Sequence, residues 1–277
     1  MKTCDLHTHS VYSDGTLTPK EIIELAIQKG LSAVALTDHN TVDGLIEFAS
    51  SAESKDIEAV LGAEFSVDYN GTELHLLGLF IPKTALEKIT NLMSEAVARK
   101  EQSNIELIAS LNRAGYKIDF EKIKASTPNG KFNRAHIAKE LTALGYTKSK
   151  EEAFATVLSK DGGHYIEPKR ITVFEMLSVL KDVGAVSVLA HPFLNLTKSE
   201  LESFLPKAKE SGLVGMECLY SEYDEEQTKQ SFALADKFGL KYSGGSDIHG
   251  ANKPKISLGT GMGNLEIPYS YAENLKK

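Results

Sequence analysis

Cysteine is nearly missing from this chain of 277 residues: Cys4 and Cys218 are the only two, and no Cys-x-x-Cys pair exists. A disulfide framework and a thiolate zinc clip are thereby excluded, and each cysteine reads as a small buried hydrophobe in an apolar strand. No uninterrupted apolar run approaches the length of a bilayer span, and MKTCDLHTHS has no apolar core behind a basic start. No membrane partner is therefore expected, and a cytoplasmic location is. Positive charge is also in deficit. The formal net charge of -7 argues against a broad basic surface for duplex nucleic acid, whose binding rests on Lys and Arg neutralising phosphates. An anionic small molecule stays open, because bound cations can reverse a local field.

With 42% hydrophobic and 25% charged side chains, the composition is that of a globular protein with a sizeable core. Its pattern alternates strands and helices. A strand is expected at about 3–7, a helix at 18–29, a strand at 32–37 and a helix at 43–54. Thr18 as N-cap, Pro19 at the first helical position, Glu21 closing a capping box and Gly30 just past the end punctuate the first helix. AVLGAEFSVDYNGTELHLLGLF reads as two strands around Asn70-Gly71, a dipeptide suited to a two-residue hairpin turn.

From 83 to 170 strand signals vanish. The text becomes helical and charged, with breaks at Gly115, Thr127-Pro128-Asn129-Gly130, Gly145 and Gly162-Gly163. Alternation then resumes with helices at 172–183, 198–211 and 224–238 and strands in AVSVLAHP, LVGMECLY and LKYSGG. The expectation is an α/β domain over 1–82 and 171–277, interrupted by a helical insertion subdomain over 83–170.

Histidine carries the chemical signal. There are eight, and six of them stand with acidic neighbours where predicted strands end or turn. In DLHTHS, His7 and His9 are two apart, so an extended chain projects both imidazoles to one side; Asp247 and His249 repeat the spacing in GGSDIHG. Asp14, His39 in LTDHNT, Glu64 and His75 on the hairpin, and His191 in LAHP complete nine candidate ligands. In β/α architectures, residues at successive strand ends converge on one rim. One such histidine is ordinarily a surface or hydrogen-bonded residue, but a bland explanation would have to be repeated at every strand end. Imidazole and carboxylate without thiolate suit Mn²⁺, Fe²⁺ or Zn²⁺ and argue against a calcium site. Nine ligands exceed the needs of one ion, so two to three are expected, leaving positions for water and a phosphorylated substrate.

The motifs DLHTHS, TDHNT, the Glu64 and His75 hairpin, AHP and GSDIHG resemble the polymerase and histidinol phosphatase (PHP) family from residue 5 to 249. The resemblance implies a distorted seven-stranded β/α barrel and a metal cluster that hydrolyses phosphate esters with a bridging hydroxide and no covalent protein intermediate. It implies that His7, His9, Glu64 and Asp247 hold a first ion, with Glu64 bridging to a second ion on His75 and His191. Asp14, His39 and His249 would hold a third. Some relatives carry histidine at the position of Asp14, which implies a harder third site here.

The insertion and the run FNRAHIAKEL resemble the nucleotide branch of that family, which implies substrate binding by Arg134 and His136. The expected substrates are then a 3′,5′-bisphosphonucleoside or a 5′-mononucleotide such as AMP. Alternatives are 5′-3′ exonuclease action on short 5′-phosphorylated RNA, hydrolysis of histidinol phosphate, and an inactive structural PHP module. Asp38 reads as an orienting group or a turn cap; Lys169, Arg170, Lys253 and Lys255 flank the expected mouth and read either as contacts to phosphate or base or as ordinary surface charges. His164 has no motif around it.

Overall fold

A computed structural model describes residues 2–125, 134–159, 162–165, 168 and 170–277. The break at 127–130, the first two residues of FNRAHIAKEL and Lys169 lie outside the described residues. The chain divides into two compact units, Met1–Asn91 with Ile171–Lys277, and Leu92–Arg170.

The first unit holds eight strands. β1 (Cys4–Asp5), β2 (Ala33–Leu36) and β3 (Glu58–Leu61) form a parallel three-stranded sheet. β4 (Ala63–Tyr69), β5 (Thr72–Leu79), β6 (Val186–Leu189), β7 (Gly215–Tyr220) and β8 (Lys241–Gly245) form a second, mixed sheet in that order. β4–β5 and β5–β6 are antiparallel; β6–β7 and β7–β8 are parallel. The mixed α/β class stands; the strands number eight, against seven in the expected barrel, and fall in two sheets that single parallel bridges join at Thr8–Ile248 and His39–Glu64. The run read as one strand before Asn70 is two. It changes sheets at Gly62, where an added Cβ would lie 2.8 Å from the Gly78 carbonyl oxygen, so only glycine lets the chain cross that close to β5.

Backbone hydrogen bonds also run between the sheets. Leu6 N–H donates to Gly244 O, Asp247 N–H to His7 O, and Glu64 N–H to Asp38 O. Gly245 permits the first of these approaches, since a Cβ there would sit 2.1 Å from that of His7.

Local signals explain the elements. α1 (Pro19–Gln28) starts with the capping box of Thr18 and Glu21, which satisfies two N–H groups otherwise left without partners. α2 (Leu45–Ala52) follows β2, and Asn70 and Gly71 both adopt positive φ (52° and 86°) in the β4–β5 turn. Beneath the sheets, Leu6, Ala33, Ala35, Val60, Leu77, Leu79, Val188 and Ile267 form an apolar core. Cys4 and Cys218 are buried and free, and burial raises both thiols.

In the second unit, α3 (Leu86–Arg113) continues from the first and is followed by α4 (Phe120–Ala125), α5 (Arg134–Ala143) and α6 (Lys150–Ala155). Leu107, Ile108, Leu111, Ile118, Ile137, Leu141 and Leu158 give it a separate core. Back in the first unit come α7 (Val173–Asp182), α8 (Lys198–Glu210), α9 (Glu225–Phe238) and α10 (Ser270–Leu275). Thr172, Thr197 and Asp224 each begin a capping box. No helix among the described residues is long and apolar enough to cross a membrane.

Candidate metal centre

All nine candidate ligands belong to the first unit, and the strand ends gather them. His7 and His9 follow β1, Asp14 lies in the next loop, and His39 follows β2. Glu64 opens β4, and His75 of β5 pairs with Ser66, which places Glu64 and His75 diagonally on one face. His191 follows β6; Asp247 and His249 follow β8. His191 and Asp247 have positive φ, 27° and 58°, an arrangement that surrounding contacts have to hold in place.

Glu64 is the hub. Its Oε1 lies 2.8 Å from His75 Nδ1 and 2.9 Å from His191 Nε2. Its Oε2 lies 3.0 Å from His39 Nδ1 and 3.3 Å from Nε2 of both His7 and His9. The two imidazoles approach each other at 3.1 Å between Nε2 atoms. Asp247 Oδ1 is 3.0 Å from His9 Nε2. On the outer side, Asp14 is 3.1 Å from His249 Nε2 and 3.8 Å from both His9 Nδ1 and His39 Nε2.

This donor set fits divalent cations. Three groups have ligand atoms clustered closely enough to hold an ion: His7, His9 and Glu64; His39, Glu64 and His75; and His9, Asp14, His39 and His249. Glu64 Oε2, His9 Nδ1 and His191 Nδ1 are buried without a hydrogen bond, a costly state that ligation relieves at the carboxylate. Imidazole nitrogens crowded around shared carboxylate oxygens have the chemistry of an N,O-ligated transition-metal site.

The electrostatics point the same way. Burial alone would depress His7, but Glu217, Glu64 and Asp247 hold it well above its ordinary value. His9 is raised despite its burial, by Asp247 and Glu64, and His75 is pushed up to about 9 by Glu64 and Glu73 against its own burial. Burial would raise Glu64 and Asp247, yet the His7 charge and the surrounding imidazole contacts hold both well below the usual carboxylate range. Protonated imidazoles thus supply positive charge where cations would supply more.

Several residues around the cluster escape a reading by motif. Glu217 is fully buried on β7. Its Oε1 accepts from His7 Nδ1 at 2.9 Å, and its Oε2 accepts from the His191 N–H at 2.7 Å. A register shift beside it on β7 marks a local irregularity of the kind that re-aims side chains near sites. A lone carboxylate in an apolar strand was the available signal, because a buried charge has to be paired. Asp5, also fully buried, accepts from the N–H groups of His7, Ser246 and Gly259. Asp38 accepts from Ser10 N–H, Ser10 Oγ and Ser13 Oγ at 2.6–2.7 Å, so it caps the turn that leads to Asp14.

Arg134 and His136 lie on α5, in the second unit. The Arg134 guanidinium stacks 4.1 Å from the Tyr165 ring centroid and 5.7 Å from that of Phe154. His164 meets Ser110 Oγ at 3.2 Å.

An α/β unit with a strand-end cluster of imidazoles and carboxylates sharing one buried glutamate defines a metal-dependent hydrolase. The family is given by the match of residues 5–168 to the PHP domain, and this chain belongs to that family. It is a metal-dependent phosphoesterase. It is 30% identical over 249 residues to a 5′-3′ exoribonuclease of Haemophilus influenzae, covering 90% of each chain. It is 29% identical to a 3′,5′-nucleoside bisphosphate phosphatase of Chromobacterium violaceum, covering 90% of this chain and 88% of that protein. A solved structure from Bifidobacterium adolescentis, described as a candidate metal-dependent phosphoesterase, matches with a TM-score of 0.68 and 26% identity. It covers 99% of this chain and 95% of that one.

Proposed function

We propose that this chain hydrolyses a phosphate monoester of a small nucleotide, a 3′,5′-bisphosphonucleoside or a 5′-mononucleotide such as AMP, with two to three Mn²⁺, Fe²⁺ or Zn²⁺ ions. The observation that carries the reading is Glu64, both of whose oxygens are shared among imidazoles from different strand ends. His7, His9, Glu64 and Asp247 would hold the first ion; Glu64, His75 and His191 the second; Asp14, His39 and His249 the third. Bound there, the cations would acidify water and neutralise charge on the attacked phosphoryl group.

The chain's own groups prepare that site. Glu217 fixes His7 by its Nδ1 and so turns Nε2 toward Glu64. Tyr220 donates to Asp247 Oδ2 at 2.9 Å, leaving Oδ1 toward the imidazoles. Arg134 and His136 serve as substrate-binding residues in this reading. A guanidinium stacked on an aromatic ring keeps its N–H edge oriented for phosphate, as an unsupported lysine would not. The likeness to the bisphosphate phosphatase supports a nucleotide substrate, the likeness to the exoribonuclease supports the short-RNA alternative, and the acidic chain favours a short substrate in either case.

The test is phosphate release by the Mn²⁺-loaded protein from adenosine 3′,5′-bisphosphate and AMP, with His191→Ala as the control for contamination. Turnover that the variant lacks supports the reading. No release from either, with metal bound, overturns the substrate assignment and leaves short 5′-phosphorylated RNA as the next substrate to assay.

A further inference from the structure

The two oxygens of Asp247 face different surroundings. Oδ1 faces imidazoles, at 3.0 Å from His9 Nε2 and 3.5 Å from both His7 Nε2 and His249 Nδ1. Oδ2 accepts instead from Tyr220 OH at 2.9 Å and from Lys253 Nζ at 2.7 Å. A cation ligated by Oδ1 therefore does not compete with Lys253 for its partner.

Lys253 also stands at a boundary. Its side chain is 34% exposed, against 5% for Asp247. An ammonium has three donors, and Asp247 engages one. The turn that carries it is tied down: Lys253 N–H donates to Gly250 O, Ile256 N–H to Lys253 O, and Ala251 N–H to Thr16 Oγ1. Asn252 Nδ2 donates to the backbone oxygen of Asp14 at 2.7 Å, so the same turn grips the loop of the outermost candidate ligand. Surface lysines are ordinarily mobile and solvated. This one is anchored at both its backbone and its Nζ, beside the cluster and in reach of water.

We propose that Lys253 binds a non-bridging oxygen of the substrate phosphoryl group and keeps that contact in the phosphate product. The proposal rests on the phosphoesterase reading but not on which nucleotide is cleaved. A cationic group beside the cluster suits an anion whose charge is spread over several oxygens, and an ammonium serves there as a point charge. If Lys253 only positioned Asp247, its removal would cost metal rather than phosphate, since Asp247 is a candidate ligand.

The experiment uses the full-length Mn²⁺-loaded protein with Lys253→Ala and Lys253→Arg. It measures manganese per chain by elemental analysis and inorganic phosphate binding by calorimetry. Phosphate is common to every phosphomonoester product, so a wrong nucleotide shows as failed turnover with phosphate binding intact. The expected result is wild-type metal content in both variants, at least about tenfold weaker phosphate binding in Lys253→Ala, equivalent to one lost contact of about 1.4 kcal/mol, and partial recovery in Lys253→Arg. Unchanged phosphate binding in Lys253→Ala overturns the proposal, as does loss of manganese from that variant. A wild-type protein that bound manganese but no phosphate would overturn it too.

Discussion

The candidate ligands divide into a buried half and an exposed half. Around Glu64, the side chains of Glu64, His7 and His9 are fully buried, whereas the Asp14 carboxylate is 57% exposed and His39 26% exposed. Water can solvate Asp14 when no cation is present. It cannot reach Glu64, whose charge has to be met by protons on imidazole or by metal ions. The difference teaches where a counter-charge is obligatory: the buried carboxylate depends on protons or cations for it, and the exposed one does not.

The largest effect should come from removing the buried hub. Glu64→Gln keeps the side-chain volume but removes a charge shared by two of the three candidate ion groups. Metal content should fall and turnover should drop about a thousandfold or more, since the ions supply several kcal/mol and each 1.4 kcal/mol or so is tenfold. Elemental analysis and phosphate-release kinetics check this. Near-normal turnover with full metal content would break the comparison.

Next is pH. Ligation needs neutral imidazole. His75 is held up to about 9, and His7 and His9 are raised, so near neutrality protons have to leave as an ion enters the buried half. Affinity there should rise with pH, by about tenfold per unit for each proton displaced, with the His75 contribution flattening above about 9. In the outer group His249, itself buried, is lowered by that burial and then by the charge of His9, so it brings no proton to displace near neutrality. Calorimetry of Mn²⁺ binding in buffers of different ionisation enthalpy would count the protons. Equal proton release by all sites would remove the distinction between the halves.

How much of this was legible in the sequence depended on how local the signal was. The α1 capping box and the Asn70-Gly71 turn are decided within four residues and could be read directly. The nine candidate ligands stood out because histidine is scarce and recurs at strand ends. The partners of Glu217 and Asp5 lie as far as 210 and 254 residues away, so the role of Glu217 left no local spacing and Asp5, though it opens DLHTHS, gave no sign of what it holds. The change of sheet at Gly62 was hidden for a similar reason: the atom that demands glycine belongs to Gly78, on another strand. For Lys253 the sequence left a phosphate or base contact and an ordinary surface charge equally open, because only the turn after β8 places its Nζ on Asp247.

Glu217→Gln tests the support of the buried half. The amide keeps the shape but loses the charge that faces His7 Nδ1 and the acceptor pair that also takes the His191 N–H. Metal affinity of the buried half should fall about ten- to a hundredfold, the usual cost of losing such a carboxylate behind a ligating histidine. The fold should persist by circular dichroism. Unchanged affinity would mean that His7 is oriented by its backbone alone.

The smallest effect should appear at the exposed half. In Asp14→Ala the outer group loses its only carboxylate, while His9, His39 and His249 remain. Because Asp14 is more than half exposed, it contributes through a screened, solvated charge, which stabilises far less than a buried one. The variant should retain the ions of the buried half and lose or weaken one outer ion, with turnover reduced less than in Glu64→Gln. Titration of the metal-free variant with Mn²⁺ would show one fewer tight site than wild type. If Asp14→Ala instead emptied every site, the exposed carboxylate would be organising the buried ones. The bond between Asn252 Nδ2 and the Asp14 backbone oxygen, which the substitution spares, could not then be what holds that side together.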